Sequence, residues 1–191
     1  MLKDKVNIGF VGAGNIAWHL ATALHKQGYT IEAIYNRNYD NAAALATTLG
    51  AKAATLEDLP HTSAHILIIA VADQGIEAVV KRLPPANVLL LHTAGSVPMQ
   101  ALSVAGHTRI GVLYPLQSFS KTKDVDMRQV PFFIEAAQNE DFTLIENIAQ
   151  SLSNKVMAAN SAKRQQLHIA AVFACNFTNA MYGIAAQLME D

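Results

Sequence analysis

The chain has 191 residues, of which 51% are hydrophobic and 15% are charged, and its formal net charge is −1. Because nucleic-acid binding needs a clustered basic face, this near-neutral balance argues against a nucleic-acid partner. The charged fraction lies well below the roughly 25% of an average soluble protein, so we expect apolar surface to be buried against another chain. The single cysteine, Cys175, cannot form an intrachain disulfide, and nothing points to an oxidising compartment.

The sequence predicts neither a targeting segment nor a membrane span. Residues 1–5 lead directly into a strand-like pattern and leave no room for a signal peptide. Apolar runs such as residues 66–72 are far shorter than the ~20 residues that cross a bilayer. We therefore expect a cytoplasmic protein with no membrane partner.

Short apolar runs alternate with helical patterns over the first 160 residues. Strands are predicted at residues 6–11, 29–35, 51–54, 66–71, 88–91, 109–113, 131–135 and 155–158. Helices are predicted at residues 15–27, 74–83 and 139–152, and a further helix, capped by Asp40 or Asn41, is predicted to end at about Leu49. The fourth strand run (ILIIAV) is apolar at every position, as expected of a strand covered on both faces of a parallel sheet. The alternation predicts an α/β fold with a doubly wound, mostly parallel sheet.

The pattern changes after residue 160. No proline or glycine pair interrupts residues 161–189, a run of ~29 residues that would form a helix of ~40 Å. Its apolar residues lie on nearly every side, and such a helix has to be buried. We place a domain boundary near Asn160, with a sheet domain at residues 1–160 and a short helical segment at residues 161–191. A partner subunit is expected against the helix, in a homodimer.

A glycine-rich turn follows the first predicted strand and opens the first helix. Residues 12–17 (GAGNIA) fit the pattern G-x-G-x-x-A. Gly12 permits the tight turn, Gly14 lets the backbone approach a pyrophosphate, and Ala17 lets the helix pack on the strand. The N–H groups of the first helical turn then face the anion. The predicted pyrophosphate contacts are Gly12, Ala13, Gly14, Asn15 and Ile16. The alternative is a tight turn without a ligand.

The end of the second strand favours NADP as the dinucleotide. An NAD site carries Asp or Glu about 20 residues after the glycines, where it binds the ribose 2′-hydroxyl. Here Asn36 and Arg37 occupy that place, and no carboxylate occurs before Asp40. Arg37 can pair with a 2′-phosphate through its planar fork, and Asn36 can donate a hydrogen bond to it. The alternative is a solvated arginine at a strand end.

Two further strand ends are expected over the cofactor, because ligands bind outside the carboxyl ends of parallel strands. Val71, Ala72 and Asp73 follow the fourth strand, although Asp73 could equally cap the next helix. His92 and Thr93 begin the turn after the fifth strand (HTAGS), whose hydroxyls and glycine suit the nicotinamide ribose or the substrate. An ordinary turn is the alternative there.

These motifs resemble the Rossmann-like NADP-binding domain shared by pyrroline-5-carboxylate reductases, deazaflavin-dependent NADP reductases and β-hydroxyacid dehydrogenases. Residues 114–119 (YPLQSF) and 168–177 (HIAAVFACNF) are similar to two internal signatures of a narrower bacterial family of NADP oxidoreductases. That family pairs the dinucleotide domain with a helical C-terminal domain of unassigned function, and the similarity covers essentially the whole chain. The resemblance implies NADP binding and hydride transfer.

The chain departs from these relatives in two respects. The hydroxyacid dehydrogenases carry a lysine four residues before an asparagine on the first long C-terminal helix, whereas Val172 stands at that spacing before Asn176. Their lysine-acid mechanism therefore does not carry over. The relatives also continue with further helices beyond the position of Asp191, so we expect either an abbreviated helical domain or a substrate pocket completed by a partner chain.

Hydride transfer to a carbonyl or imine also requires a proton donor from the protein. His168 is titratable near neutrality, and Asn176 lies about 80° further round an ideal helix, so both are expected to face the substrate. Asn179 extends this polar stripe. An equal alternative makes these residues hydrogen-bond partners within a dimer core.

Other polar residues are weaker candidates. Tyr114 and Gln117 come after the predicted sixth strand, where a Tyr-Pro turn is often only a turn. Lys163 and Arg164, near the start of the long helix, could hold an anionic substrate, although a solvated helix end is the favoured interpretation.

Chemistries other than hydride transfer have little support. His61 and His65 lie four residues apart in a predicted loop without a third ligand, so no metal site is expected. Cys175 is expected to be an inert core thiol. Ser96 lacks the strand–G-x-S-x-G–helix context of a hydrolase nucleophile.

Two functions from different classes remain. The leading hypothesis is an NADP-dependent oxidoreductase that exchanges hydride between nicotinamide and a small carbonyl or imine substrate. The second is a non-catalytic NADP(H)-binding sensor or scaffold whose helix serves association. The enzyme requires His168 and Asn176 beside the nicotinamide, whereas the sensor has them buried against a second chain.

Overall fold

The computed structural model describes residues 6–190, and its core is one eight-stranded sheet with the order β3-β2-β1-β4-β5-β6-β7-β8. The strands are β1 (Asn7–Val11), β2 (Thr30–Tyr35), β3 (Lys52–Ala54), β4 (Ile66–Ile69), β5 (Leu89–His92), β6 (Ile110–Pro115), β7 (Phe132–Ala136) and β8 (Val156–Ala158). The helices are α1 (Asn15–Lys26), α2 (Tyr39–Leu49), α3 (Ile76–Val80), α4 (Asn139–Leu152), α5 (Ser161–Ala171) and α6 (Thr178–Glu190). A π-helical turn, Val172–Phe177, joins the last two helices.

The predicted doubly wound, mostly parallel sheet is confirmed. Strands β1 to β6 are parallel to one another, and the order reverses at β1, which lies between β2 and β4. Strand β7 runs antiparallel to β6. The connection between β6 and β7 contains no α-helix, and a chain without a crossover helix returns in the antiparallel direction. The reversal at β1 creates the crevice in which doubly wound folds bind ligands.

Both faces of the sheet are covered, which explains the uniformly apolar strands. In β4, Ile66 and Ile68 pack in a cluster with α1, α2 and α4 on one face. Leu67 and Ile69 pack with α3 and the neighbouring short turns on the other face. All four side chains are buried. Burial on both sides rigidly positions the carboxyl ends of the central strands, which carry the site described below.

Two helix boundaries differ from those predicted. Helix α2 begins at Tyr39, because Asn38 caps it in place of Asp40 or Asn41 by accepting a hydrogen bond of 3.1 Å from the backbone N–H of Asn41. Helix α3 is only five residues long. After it the backbone changes to i→i+3 hydrogen bonds, as in Leu83 N–H to Val80 O, before Pro84 ends the segment.

The long C-terminal helix is confirmed, but within a single chain it is not buried. Its large apolar side chains are exposed, namely Ile169, Phe173, Phe177, Met181, Tyr182, Ile184, Leu188 and Met189. The prediction that Cys175 is a core thiol is wrong for the single chain, since that cysteine is exposed. That a second copy of the chain covers the C-terminal helix remains a prediction.

Within residues 6–190, one helix, Ser161–Met189, has the length and apolar composition that would suffice to cross a bilayer. Core helices of soluble proteins meet the same criterion, so this is weak evidence for a membrane. This helix is far longer than the apolar strands, and the absence of a membrane partner remains a prediction.

Candidate functional site

The glycine-rich turn has the conformation that an anion-binding turn requires. Gly12 adopts φ +109°, and a Cβ there would collide with the carbonyl oxygen of Ala70, so only glycine fits. Gly14 precedes α1, and a Cβ built on it would meet no described atom within 4 Å. Among the described residues, no side chain caps the start of α1. The first N–H groups of the helix are therefore left for an anion.

A cleft of about 530 Å³ opens beside this turn. Several predicted residues line it, namely Gly12, Ala13, Gly14, Asn36, Arg37, Val71 and Ala72. Sequence reasoning missed the other lining residues, Asn38, Asn41, Leu56, Ala70, Gly75, Ala78, Val79 and Arg82. Asn15 and Ile16 lie in the first turn of α1, where they would contribute backbone N–H groups. None of the described lining residues is acidic, so the cleft suits an anionic ligand.

The turn after β2 presents an arginine to this cleft. The side-chain amide of Asn36 donates a hydrogen bond of 2.9 Å to the carbonyl of Asn38, which itself caps α2. These contacts hold the turn, and Arg37 between them is exposed and lines the cleft. The apolar residues that line the cleft, Leu56 and Val79 among them, suit a flat aromatic ring. The residues present therefore fit the adenosine and pyrophosphate parts of a dinucleotide.

A tyrosine–histidine pair lies at the carboxyl end of β6. The hydroxyl of Tyr114 lies 3.0 Å from Nδ1 of His168 on α5, and the two rings meet edge to face. Gly95, in the turn after β5, contacts both, because a Cβ there would lie 2.7 Å from His168 Nδ1 and from Tyr114 Cζ. Burial raises the pKa of the Tyr114 phenol to about 12, and the Asp73 carboxylate adds to this against the opposing effect of Arg164.

One hydrogen bond connects the cleft with this pair. The hydroxyl of Ser96 donates to the carboxylate of Asp73. Asp73 follows the cleft residue Ala72, and Ser96 follows Gly95, which contacts the tyrosine and the histidine. This hydrogen bond therefore links the end of β4, beside the phosphate-binding turn, to the turn after β5 that contacts the Tyr114–His168 pair. Asp73 acts in this link rather than lining the cleft, and its direct contact with a cofactor remains a prediction.

Arg164 is a buried anchor, and its interpretation as a solvated helix end or substrate-binding cation is wrong. Its side chain is 0% exposed, and Nη1 lies 2.5 Å from the Glu135 carboxylate on β7. The guanidinium also donates to the carbonyls of Ala94, at 3.2 Å, and Val97, at 2.5 Å. Arg164 lies one helical turn before His168, and it therefore fixes α5 against the turn that carries Gly95. A buried arginine gives no periodic signal in sequence, so only its tertiary partners reveal this role.

The predicted cofactor contacts His92 and Thr93 have buried side chains, with 0% and 3% exposure. Nδ1 of His92 accepts a hydrogen bond of 3.1 Å from the backbone N–H of Ala94, which shapes the turn. Burial lowers the pKa of His92 to about 3, and the positive charge of Arg164 contributes. The side chains of His92 and Thr93 therefore lie buried beneath the turn, and any contact of these two residues with a nucleotide would come from their backbone.

The roles of Asn176 and Asn179 remain predictions. Both residues are exposed, and Asn176 lies in the π-helical turn Val172–Phe177. Within residues 6–190, no group of His, Cys, Asp or Glu could hold a metal ion, and His65 instead accepts a hydrogen bond from the backbone of Asn7.

Comparisons with known proteins agree with this arrangement. Residues 7–94 match the family model described as NADP oxidoreductase, coenzyme F420-dependent. Residues 130–191 match a domain of unknown function, DUF2520. A comparison with curated proteins returned no match.

Three solved structures show the same fold. A Thermotoga maritima protein (23% identity, TM-score 0.76) covers 96% of this chain, which spans 69% of that protein. A pyrroline-5-carboxylate reductase from Coxiella burnetii (20%, TM-score 0.68) covers 97%, and this chain again spans 69% of it. At these identities the likeness concerns the fold alone. A candidate NADP oxidoreductase from Bacteroides fragilis is 39% identical to this chain, with a TM-score of 0.85. The match covers 97% of this chain and 72% of the Bacteroides protein. The chain therefore belongs to the family of NADP oxidoreductases that this Bacteroides protein represents, with an F420-dependent-type dinucleotide domain followed by a DUF2520 domain.

Proposed function

We propose that this chain uses NADP to exchange hydride with a small carbonyl or imine substrate. The observation that carries the proposal is the hydrogen bond between Asp73 and Ser96, which links the strand end beside the phosphate-binding turn to the turn that contacts the Tyr114–His168 pair. A dinucleotide bound with its pyrophosphate at Gly14 would extend its nicotinamide along the carboxyl ends of the strands, toward that pair.

NADP is proposed over NAD on the charges of the cleft. Arg37 lines it at the position where an NAD site has a carboxylate, and no described lining residue is acidic. A carboxylate there would accept a ribose hydroxyl but repel a 2′-phosphate. Arginine pairs with the phosphate instead.

The Tyr114–His168 pair can move the proton that accompanies hydride transfer. The nicotinamide, when bound, supplies or accepts the hydride. The raised pKa keeps the Tyr114 phenol protonated. Its hydroxyl lies on Nδ1 of His168, so Nε2 is the ring nitrogen left to exchange a proton with the substrate heteroatom. In the direction of reduction, an imidazolium would give its Nε2 proton to that heteroatom and remain as the neutral imidazole, with its Nδ1–H directed to the Tyr114 oxygen. In the reverse direction the neutral imidazole would take the proton at Nε2.

The experiment begins with a thermal-shift panel of NADP, NADPH, NAD and NADH. A ligand that binds only the folded state stabilises it by RT ln(1 + [L]/Kd), so binding registers before a substrate is known. Small ketones, imino acids and hydroxy acids are then screened by the absorbance of reduced nicotinamide. We expect Tyr114→Phe and His168→Gln to retain the NADPH shift and to lose turnover. If no dinucleotide stabilises the chain, the proposal is refuted.

The Arg37→Asp variant tests the choice of cofactor separately. It should weaken NADP binding far more than NAD binding, because it replaces an attractive charge by a repulsive one only where the 2′-phosphate lies. Comparable losses for both dinucleotides would remove the 2′-phosphate assignment. A chain that binds NADPH but turns over no member of the panel in either direction would favour the sensor or scaffold.

We also propose that the chain works in the cytoplasm as a homodimer. The exposed apolar side chains of the C-terminal helix support this association, because a monomer rarely leaves so many neighbouring large apolar groups in water. Light scattering over a concentration series should report a dimer. A stable monomer at micromolar concentration would contradict the interpretation.

A further inference from the structure

We infer that Arg82 is a second cation of the 2′-phosphate site, held in place by Glu57 until a nucleotide arrives. This inference rests on the proposed NADP specificity and adds to it a residue that neither the glycine motif nor the strand ends indicate. Arg82 lines the same cleft as Arg37, although the two arginines are 45 positions apart in the chain.

The sheet order places the two arginines on different walls. Arg37 follows β2, which lies on one side of β1, whereas Arg82 follows α3, the helix after β4 on the other side of β1. The glycine turn of β1 lies between these walls. A nucleotide seated on that turn would therefore have one guanidinium available from each side.

Arg82 reaches across the cleft in the present structure. Its Nη1 lies 3.4 Å from the carboxylate of Glu57, in the turn after β3 and next to the cleft residue Leu56. Strand β3 lies beyond β2, so this ion pair joins the α3 wall to the β2–β3 wall. The pair therefore bridges the adenosine end of the cleft.

The bridge is weak enough to exchange partners. Its two side chains are 48% and 76% exposed, and exposed ion pairs contribute little to stability. A phosphate dianion accepts two parallel hydrogen bonds from a guanidinium, which makes it a stronger partner than one distant carboxylate oxygen. Binding of a 2′-phosphate would thus transfer Arg82 from Glu57 to the nucleotide.

The neighbours of Arg82 place the ligand's aromatic ring nearby. Ala78 and Val79 lie four and three residues before it, and both line the cleft with Val71 and Leu56. Residues at these spacings in and just after a helix share a face, so the guanidinium lies at the rim of an apolar wall suited to adenine. The ring would lie against that wall and the ribose phosphate at its charged rim.

The test uses nucleotide fragments that lack nicotinamide, so it needs no substrate. Adenosine 2′,5′-bisphosphate and adenosine 5′-monophosphate are titrated by calorimetry into the full chain and its variants. Arg82→Gln should weaken the bisphosphate about tenfold, as expected for losing one partly exposed charge-assisted contact, and leave the monophosphate unchanged. Glu57→Gln should tighten the bisphosphate about two- to threefold by removing the competing carboxylate.

Two controls identify the cause. Lys81→Gln removes a neighbouring positive charge that pairs with Glu77, and it should leave both affinities unchanged. In the double variant of Arg82 and Glu57, the gain from Glu57→Gln should disappear.

Equal weakening of both fragments by Arg82→Gln would overturn the inference, because Arg82 would then only pack against adenine. An unchanged bisphosphate affinity would overturn it as well. Failure of the proposed cofactor choice has a different signature. In that case the wild-type chain itself shows no preference for the bisphosphate, and Arg37→Asp does not alter the ratio of the two affinities.

Discussion

Replacing Arg164 by methionine removes the charge that joins the C-terminal helix to the sheet domain. The guanidinium is fully buried, and its partner Glu135 has a side chain only 15% exposed. Arg164→Met therefore leaves a carboxylate without its cation and removes the donor to the carbonyls of Ala94 and Val97. Methionine preserves much of the side-chain volume, so the lost interactions dominate the effect.

The expected cost follows from the burial of this pair. Removing one partner of a buried ion pair typically costs about 3–5 kcal/mol, because the remaining charge stays in a poorly solvated site. For a chain of this size, 1 kcal/mol corresponds to roughly 2–4 °C in melting temperature, which gives a decrease of about 6–20 °C. Adding Glu135→Gln to the variant should restore part of the loss, since it removes the unpaired charge.

Urea and thermal unfolding, followed by circular dichroism, measure these differences. Lys81→Met is the matched control, because the Lys81–Glu77 pair is more than half exposed and should contribute about 0–1 kcal/mol. Hydrogen exchange at residues 94–97 gives a second readout, and it should accelerate in Arg164→Met but not in the control. If Arg164→Met destabilises the chain no more than Lys81→Met does, the assignment of Arg164 as a buried anchor is refuted.

Three further changes test the site. Gly12→Ala should prevent stable folding, because a Cβ at position 12 collides with the backbone of Ala70. Gly14→Ala should keep the melting temperature of the free chain and lose the NADPH-induced shift, because a Cβ at position 14 meets no described protein atom. Loss of stability in both variants would contradict the open space at Gly14. Gly95→Ala should separate the tyrosine–histidine pair and abolish turnover while NADPH still binds; unchanged turnover would contradict the contact. His92 has a folded-state pKa of about 3 against an ordinary 6.5, so the unfolded chain binds the proton first. The contribution of His92 to the free energy of unfolding is complete above pH 6.5 and declines as the pH falls toward 3. Urea unfolding at stepped pH should therefore show a flatter decline for His92→Gln than for the unchanged chain. An equal slope in both chains would exclude His92 as the source of the decline.

Much of the fold could be predicted from short windows of sequence. The strands β1 and β4 appear as apolar runs, and Gly12, Gly28 and Gly50 adopt the positive φ values that turns and helix ends require. These features depend on a residue's own backbone and its near neighbours, so local patterns reveal them. The antiparallel direction of β7 was missed, since it depends on how the connection from β6 closes in space. The cap at Asn38 was missed although its contact with Asn41 is local, because Asp40 and Asn41 are also good capping residues.

By itself, the sequence determined the dinucleotide turn, the alternation of strands and helices, and the arginine after β2, because glycine geometry, apolar periodicity and charge act over a few residues. The tertiary structure alone decided that Arg164 is an anchor, that Tyr114 pairs with His168, and that Arg82 lines the cleft. The contacts of the first two join positions 70 and 54 residues apart. Such partners meet only where parallel strands end together, and the order of strands in a sheet is a property of the whole chain.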